Sequence, residues 1–182
     1  MGLKHRMRTR KRVPPREKNP LEVSIARNIN WSMDFMHDTL RNKRRFRVFN
    51  VIDDYNRQAL AIEADFSIPS NAVIRILERA IHEYGKPLKI RTDNGPEFTC
   101  STFVDWCAAH DIEIQYIQPG KPTQNSFIER FNRTFREDVL DAYLFEDLYE
   151  FRHITDEWQE DYNYFRPHES LNNLSPIKYC GA

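Results

Sequence analysis

The hydrophobic period changes once along this chain, and the change narrows the folds open to it. From Asn30 to about Phe66 apolar residues alternate with polar ones, whereas from Ser70 onward they recur every three or four residues between short apolar runs. Trp31, Met33 and Phe35 alternate with Ser32, Asp34 and Met36, so 30–36 is a strand with Asp34 on the face opposite the aromatics. A polar hairpin turn over 38–45, a strand over 46–53, a turn at 54–57 and a strand over 58–66 complete an antiparallel meander. A helix capped by Ser70 or Asn71 follows, with Val73, Ile74, Leu77, Ala80 and Ile81 on one face and Gly85 and Pro87 as its stop. The remainder reads as a strand over 88–93, a turn at 94–96 and a helix over 101–110 with Phe103, Trp106 and Cys107 inward. Then come a strand over 112–117, a helix within 119–140, a last helix over 146–164 and a loop-like tail over 165–179. Strands joined through helices lie parallel. The expected fold is therefore α/β, a five-stranded mixed sheet (three antiparallel strands, then two parallel) flanked by helices.

The helix within 119–140 has two unlike faces. Pro119, Gly120 and Pro122 break whatever precedes it, and Thr123 is the expected cap. Phe127, Ile128, Phe131, Phe135 and Val139 fall on one arc, and Asn125, Glu129, Asn132, Arg133 and Arg136 on the other. A lone carboxylate among arginines is ordinarily a surface ion pair. Two acids upstream change that reading, because Asp34 sits inside a strand and Asp93 ends one. If the fourth strand lies beside the first, the two become neighbours and the crossing helix delivers Glu129. Aspartates a few ångströms apart need a shared proton or a cation. Oxygen-only ligand sets suit Mg²⁺ or Mn²⁺, and two such ions about 4 Å apart perform phosphoryl transfer. The assignment is Asp34 bridging two ions, Asp93 on one and Glu129 on the other.

The remaining polar residues take lesser roles. Asp53 and Asp54 are expected in a hairpin turn, Asp38 and Asp65 are turn acids, and Glu97 either supports Asp93 or caps a helix. Lys121, Gln124, Asn125, Arg133 and Arg136 are expected to hold phosphates or bases, or else to form a solvated helix face. Arg166 and His168 either contact DNA or pack against the Glu129 helix, with packing the favoured reading.

A formal net charge of zero hides an asymmetry. Residues 1–20 hold eight basic residues and one acid, which leaves the rest of the chain at −7. A basic arm over 1–24, carrying Arg8, Arg10, Lys11 and Arg12, is expected to contact nucleic acid beside a core over 25–182. No run of 18 apolar residues is present and no apolar stretch follows the N-terminal charges, so neither a membrane span nor a secretory signal is expected. Cys100, Cys107 and Cys180 form no CxxC pair, which fits a reducing cytoplasm and argues against zinc.

Five ordered stretches, WSMDFMHD, VIDDYNR, RTDNGPEF, QPGKPTQNSFIERFNRTFREDVLDAYLF and YNYFRPHESLNNLSP, resemble the catalytic domain of bacterial insertion-sequence transposases. The resemblance is strongest to the large group named after insertion sequence three, which sits with retroviral integrases among the DDE enzymes. It covers about residues 28–179, and thirty-five residues separate Asp93 from Glu129, as is typical of that group. It implies a ribonuclease-H-like fold, a metal-binding triad at Asp34, Asp93 and Glu129, and a DNA partner. It further implies metal-dependent nicking at the element's ends, attack by the freed 3′-hydroxyl on DNA, and a nucleoid-associated place in a bacterial cytoplasm. A copy-out, paste-in route through a circular intermediate comes with the same resemblance. Members of the group carry a helix-turn-helix segment ahead of the core. The expected partners are therefore further copies of this chain and an upstream reading-frame product that supplies end recognition. Two other readings stand beside this one: a nuclease of the same fold that cuts without joining, and a catalytically idle DNA-binding remnant.

Overall fold

The computed structural model describes residues 24–118 and 125–181. Five strands form one sheet in the order β3-β2-β1-β4-β5. They are β1 (Asn30–Thr39), β2 (Arg45–Asp53), β3 (Ala59–Asp65), β4 (Lys89–Thr92) and β5 (Glu113–Tyr116). The first three are antiparallel, while β4 runs parallel to β1 and β5 parallel to β4. This is the mixed sheet expected from the change of period, with the fourth strand beside the first.

Helices cover both faces. On one side lie α1 (Ser70–Tyr84), α2 (Pro96–Thr99) and α3 (Ser101–Ala109); on the other lie α4 (Ser126–Phe135) and α5 (Leu148–Tyr164). Strand alternation sends Trp31, Met33, Phe49 and Val51 into a core with Val73, Leu77 and Phe103. Met36, Val48 and Ile52 point the other way, into a core with Ile128, Phe131, Phe135 and Phe151. Burying each such side chain contributes roughly 1.5–3 kcal/mol, so both helical layers are held firmly to the sheet. The second core is rich in rings at edge-to-face angles, among them Phe135 with Trp158 at 5.0 Å and Phe131 with Tyr162 at 5.1 Å.

Several expectations need correction. β1 continues to Thr39, so Asp38 lies in a strand and not in a turn; only 40–44 make the hairpin connection. Residue 69, Pro69, precedes α1, and Ser70 spends its hydroxyl on the carbonyl of Glu97 instead of capping its own helix. The turn at 94–96 runs straight into α2, whose first residue is Pro96, a ring already set to a helical φ. The last helix starts at Leu148 with Asp147 as its cap, accepting from the N–H groups of Tyr149 and Glu150. The helix carrying Glu129 ends as an α-helix at Phe135 and widens into a π-turn over Arg136–Leu140, which buries Val139 and Leu140 together. The tail is not a loop throughout. It forms a 3₁₀ turn, Glu169–Leu171, and a helix α6 (Pro176–Cys180). Asn56, in the β2–β3 turn, donates to the carbonyl of Pro176, and Tyr55 packs on Tyr179, so this tail is docked by side chains more than a hundred residues away. The cap expected at Thr123 lies outside the described residues, as do Arg8, Arg10, Lys11, Arg12, Lys121 and Gln124.

Candidate active site

Asp34 occupies the middle of β1 and pairs in register with Asn50 of β2. Its side chain faces α4, as the alternation of 30–36 requires. Oδ1 accepts from the N–H of Phe35 at 2.8 Å, and Oδ2 accepts from Nδ2 of Asn132 at 2.8 Å. Oδ1 of Asn132 in turn accepts from Nδ2 of Asn50 at 2.7 Å. A chain of two buried amides thus ties α4 to β2 and to the Asp34 carboxylate. Asn132 was expected on the solvent side of its helix; it is buried because Asp34 and Asn50 supply the partners its amide needs.

Asp93 follows the last residue of β4 and is exposed. Its Oδ1 accepts from the N–H of Gly95 at 2.9 Å, which closes the Asp-Asn-Gly turn and holds the carboxylate at the strand's end. A Cβ at Gly95 would sit 3.0 Å from that same oxygen and 3.3 Å from Oε2 of Glu97, so the glycine leaves room for two acids. Glu97 pairs with Arg47, whose guanidinium also lies 3.8 Å over the Phe35 ring. Burial pushes Glu97 up, and the hydrogen bond from Arg47 overrides it, so the acid stays below its ordinary range. Glu97 is thereby committed to Arg47.

Glu129 stands exposed in the first turn of α4. The three acids are close enough to feel one another. Burial raises Asp34 to about 6, and the negative charges of Asp93 and Glu129 add to the rise against the hydrogen bonds from Phe35 and Asn132. Among the described residues no group of three or more His, Cys, Asp or Glu side chains is placed to hold a metal ion. The donor set nonetheless suits a hard divalent cation: it is oxygen only, it carries excess negative charge, and its openness leaves positions for the waters that Mg²⁺ gives up reluctantly.

The other polar residues take distinct places. Asp54 is fully buried in the β2–β3 turn, as expected, where Oδ2 accepts from Arg91 and from Asn30. Burial raises it to about 6 even with Arg91 beside it. Asp53 accepts from the N–H groups of Asn28 and Tyr55, the turn role expected of it. Arg166 pairs with Asp138 of the π-turn, and His168 stands edge-on to Tyr162 at 4.7 Å, which is the packing reading. Asn125 is buried at the start of α4, Arg133 is exposed, and Arg136 reaches the carbonyl of His37 and Asp141. Neither Asn50 nor Asn132 stood out in the sequence as part of the site. The available signal was the spacing of Asn132, one turn beyond Glu129.

The site can now be set beside known proteins. Two models, both described as integrase core domain, match residues 26–122 and 110–176. An uncharacterized 39.2 kDa protein of insertion element IS476 from Xanthomonas euvesicatoria is 40% identical over 178 residues, covering 98% of this chain and 51% of that protein. An uncharacterized 31.7 kDa protein of insertion element IS407 from Burkholderia multivorans is 39% identical over 179 residues, covering 98% of this chain and 65% of that one. The chain thus spans between half and two thirds of the length of these relatives. Among solved structures, the HTLV-2 integrase catalytic core domain in complex with magnesium superposes with a TM-score of 0.69 at 19% identity, over 85% of this chain and 97% of that one. A chain of the simian T-cell lymphotropic virus intasome superposes at 0.75, also at 19% identity, over 90% of this chain and 58% of that one. The fold is that of the ribonuclease-H-like integrase cores, and with one integrase-core model matched over more than half of its residues the chain belongs to the integrase core domain family.

Proposed function

We propose that this chain is the catalytic core of an insertion-sequence transposase, a polynucleotidyl transferase that cuts DNA at the element's ends and joins the freed end to DNA. What supports the reading is that Asp34, Asp93 and Glu129 come from three separate elements and that the charges of Asp93 and Glu129 both act on the half-buried Asp34. In this reading Asp34, Asp93 and Glu129 would together hold two Mg²⁺ or Mn²⁺ ions, with Asp34 shared between them. When bound, the ions acidify the attacking hydroxyl and stabilise charge on the departing oxygen. The chain's own residues place the oxygens: Asn132 and the Phe35 N–H fix Asp34, and the Gly95 N–H fixes Asp93. The hydroxyl attacks phosphorus and the bond from phosphorus to the 3′-oxygen breaks. The 3′-hydroxyl so released then loses its proton and attacks phosphorus in a second DNA, whose own bond from phosphorus to a 3′-oxygen breaks, that oxygen leaving as a hydroxyl.

The exposed Arg133, the basic arm over 1–24 and the segment holding Lys121 and Gln124 are proposed to contribute DNA contacts around the cut. Further copies of the chain and a helix-turn-helix product are the proposed partners, and a bacterial cytoplasm the proposed location. No helix among the described residues is long and apolar enough to cross a membrane. The test is a nicking and joining assay with Mg²⁺ or Mn²⁺, DNA carrying the element's own end, and Glu129→Gln as control. Products that need metal and vanish in Glu129→Gln are expected, with joined DNA among them. Cutting without joining favours a nuclease; DNA binding with neither favours an idle remnant. Equal cutting by both proteins would remove Glu129 from the site.

A further inference from the structure

A groove of about 560 Å³ runs along α4 from Glu129. Its far wall is the segment after α5, from Arg166 to Ser170, and Arg57 enters it from the β2–β3 turn. Arg57 is held there in an unusual way. Its backbone is left-handed, with φ 63°, and its N–H donates to the carbonyl of Asp53. Its guanidinium lies 3.4 Å from the centre of the Phe127 ring, and Nη1 is buried without a hydrogen-bond partner among the described residues.

The nearby acids Asp54 and Asp53 favour this charge at a distance, but their hydrogen bonds go to other groups. Asp54 is taken by Arg91 and Asn30, and Asp53 by the N–H groups of Asn28 and Tyr55. Arg130, one residue past Glu129, is exposed, and among the described residues it forms no ion pair. Arg166 differs, because Asp138 already pairs with it. Glu137 and Glu169 also line the groove, so it is no uniformly basic wall. What sets it apart is a half-buried guanidinium stacked on Phe127, one of whose nitrogens has no hydrogen-bond partner among the described residues, close to the turn of α4 that presents Glu129. A planar guanidinium stacked on a ring presents a fork that fits the two free oxygens of a phosphodiester.

We propose that this groove holds the phosphodiester backbone of the DNA delivered to the Asp34–Asp93–Glu129 site, with Arg57 and Arg130 as its anchoring cations. The proposal rests on reading the three acids as a DNA-cutting centre. Arg57 grips from the meander and Arg130 from α4, so the strand is clamped between the two elements that frame Glu129.

Binding of a fluorescent duplex carrying the element's end, followed by anisotropy across a salt series, tests this. The proteins are the wild type, Arg57→Gln, Arg57→Lys, Arg130→Gln and, on the opposite helical layer, Arg75→Gln as control. Arg57→Gln and Arg130→Gln are each expected to weaken binding about tenfold and to flatten the salt dependence by about one phosphate's share. Arg57→Lys keeps the charge and loses the fork, so it should fall between them and the wild type. Arg75→Gln should match the wild type. Arg130 is exposed on α4, so its variant decides the matter even if Arg57→Gln does not fold. Wild-type affinity and salt slope in a folded Arg130→Gln, or in Arg57→Gln, would overturn the clamp. Cutting assays on the same proteins separate the two readings. If Glu129→Gln loses cutting while both groove variants bind and cut like the wild type, the groove proposal fails and the catalytic one stands. If the wild type neither binds nor cuts, both fail.

Discussion

At the scale of single residues, the site stores a conflict that Asp34 carries. Its carboxyl is partly buried beside two like charges, and its pKa of about 6 in the folded protein lies above the value near 4 of an unfolded chain. Below pH ~4 the group is protonated in both states and costs nothing. As pH rises toward 6 the unfolded chain releases its proton first, so folded stability drains away and stays reduced above 6. The shift corresponds to at most about 3 kcal/mol. Asn at this position is easily housed: a flip of the Asn132 amide presents its oxygen to the new NH₂, and Asn50, whose Oδ1 has no partner among the described residues, can flip in turn. In metal-free buffer Asp34→Asn should therefore melt above the wild type at pH 7.5 and together with it near pH 4. Melting curves at the two pH values check this. An acid kept at the cost of stability is what a functional site looks like.

At the scale of elements, α4 matters through how it is seated. Its apolar arc, Ile128, Phe131 and Phe135, is locked under α5, and its amide contact through Asn132 sets its height over β1. Asn132→Ala removes that contact and leaves Asp34 and Asn50 without their shared partner. Loss of such supporting partners typically costs 10- to 100-fold in activity or metal affinity. The expectation is a folded protein, by circular dichroism, whose cutting rate falls by about that much. The elements differ in how plainly the sequence announces them. β1 to β3 are legible because each alternates cleanly between two environments. The nearness of Asp34 and Asp93 was legible only as a condition, that β4 lie beside β1, and β4 does lie there. Asn132 was not legible, since a polar residue one turn from Glu129 looks solvated until Asp34 is known to lie beneath it. α6 was hidden for the same reason: five residues hold no period of their own, and its place depends on Asn56 and Tyr55 of a distant turn. The π-turn likewise answers to packing, as Trp158 and Arg166 both reach Asp138.

At the scale of the whole molecule, two strands and one helix bring their acids to one charged spot, so a cation there should tighten the sheet to the α4–α5 layer. A ligand that binds only the folded state stabilises it, by about 1.4 kcal/mol at ten times its dissociation constant. For a chain of this size that is a rise of a few degrees. Adding Mg²⁺ should raise the melting temperature of the wild type and close its gap to Asp34→Asn, while leaving Asp34→Asn and Glu129→Gln nearly unmoved. Calorimetry with and without EDTA measures it. An equal shift in all three would place the ion elsewhere.

The scatter of the three acids along the chain has one more consequence, for the cell that makes the protein. Domains fold as units while they leave the ribosome, N-terminal parts first. Asp34 and Asp93 emerge well before Glu129, and α4 finds its seat only when Trp158 and Tyr162 of α5 arrive to cover Phe131 and Phe135. A nascent chain, or one cut short by premature termination before α5, holds two of the acids without the seated third. On the proposed function, copies cut short before α5 would then be harmless to DNA, and the capacity to cut would appear only once α5 has been made.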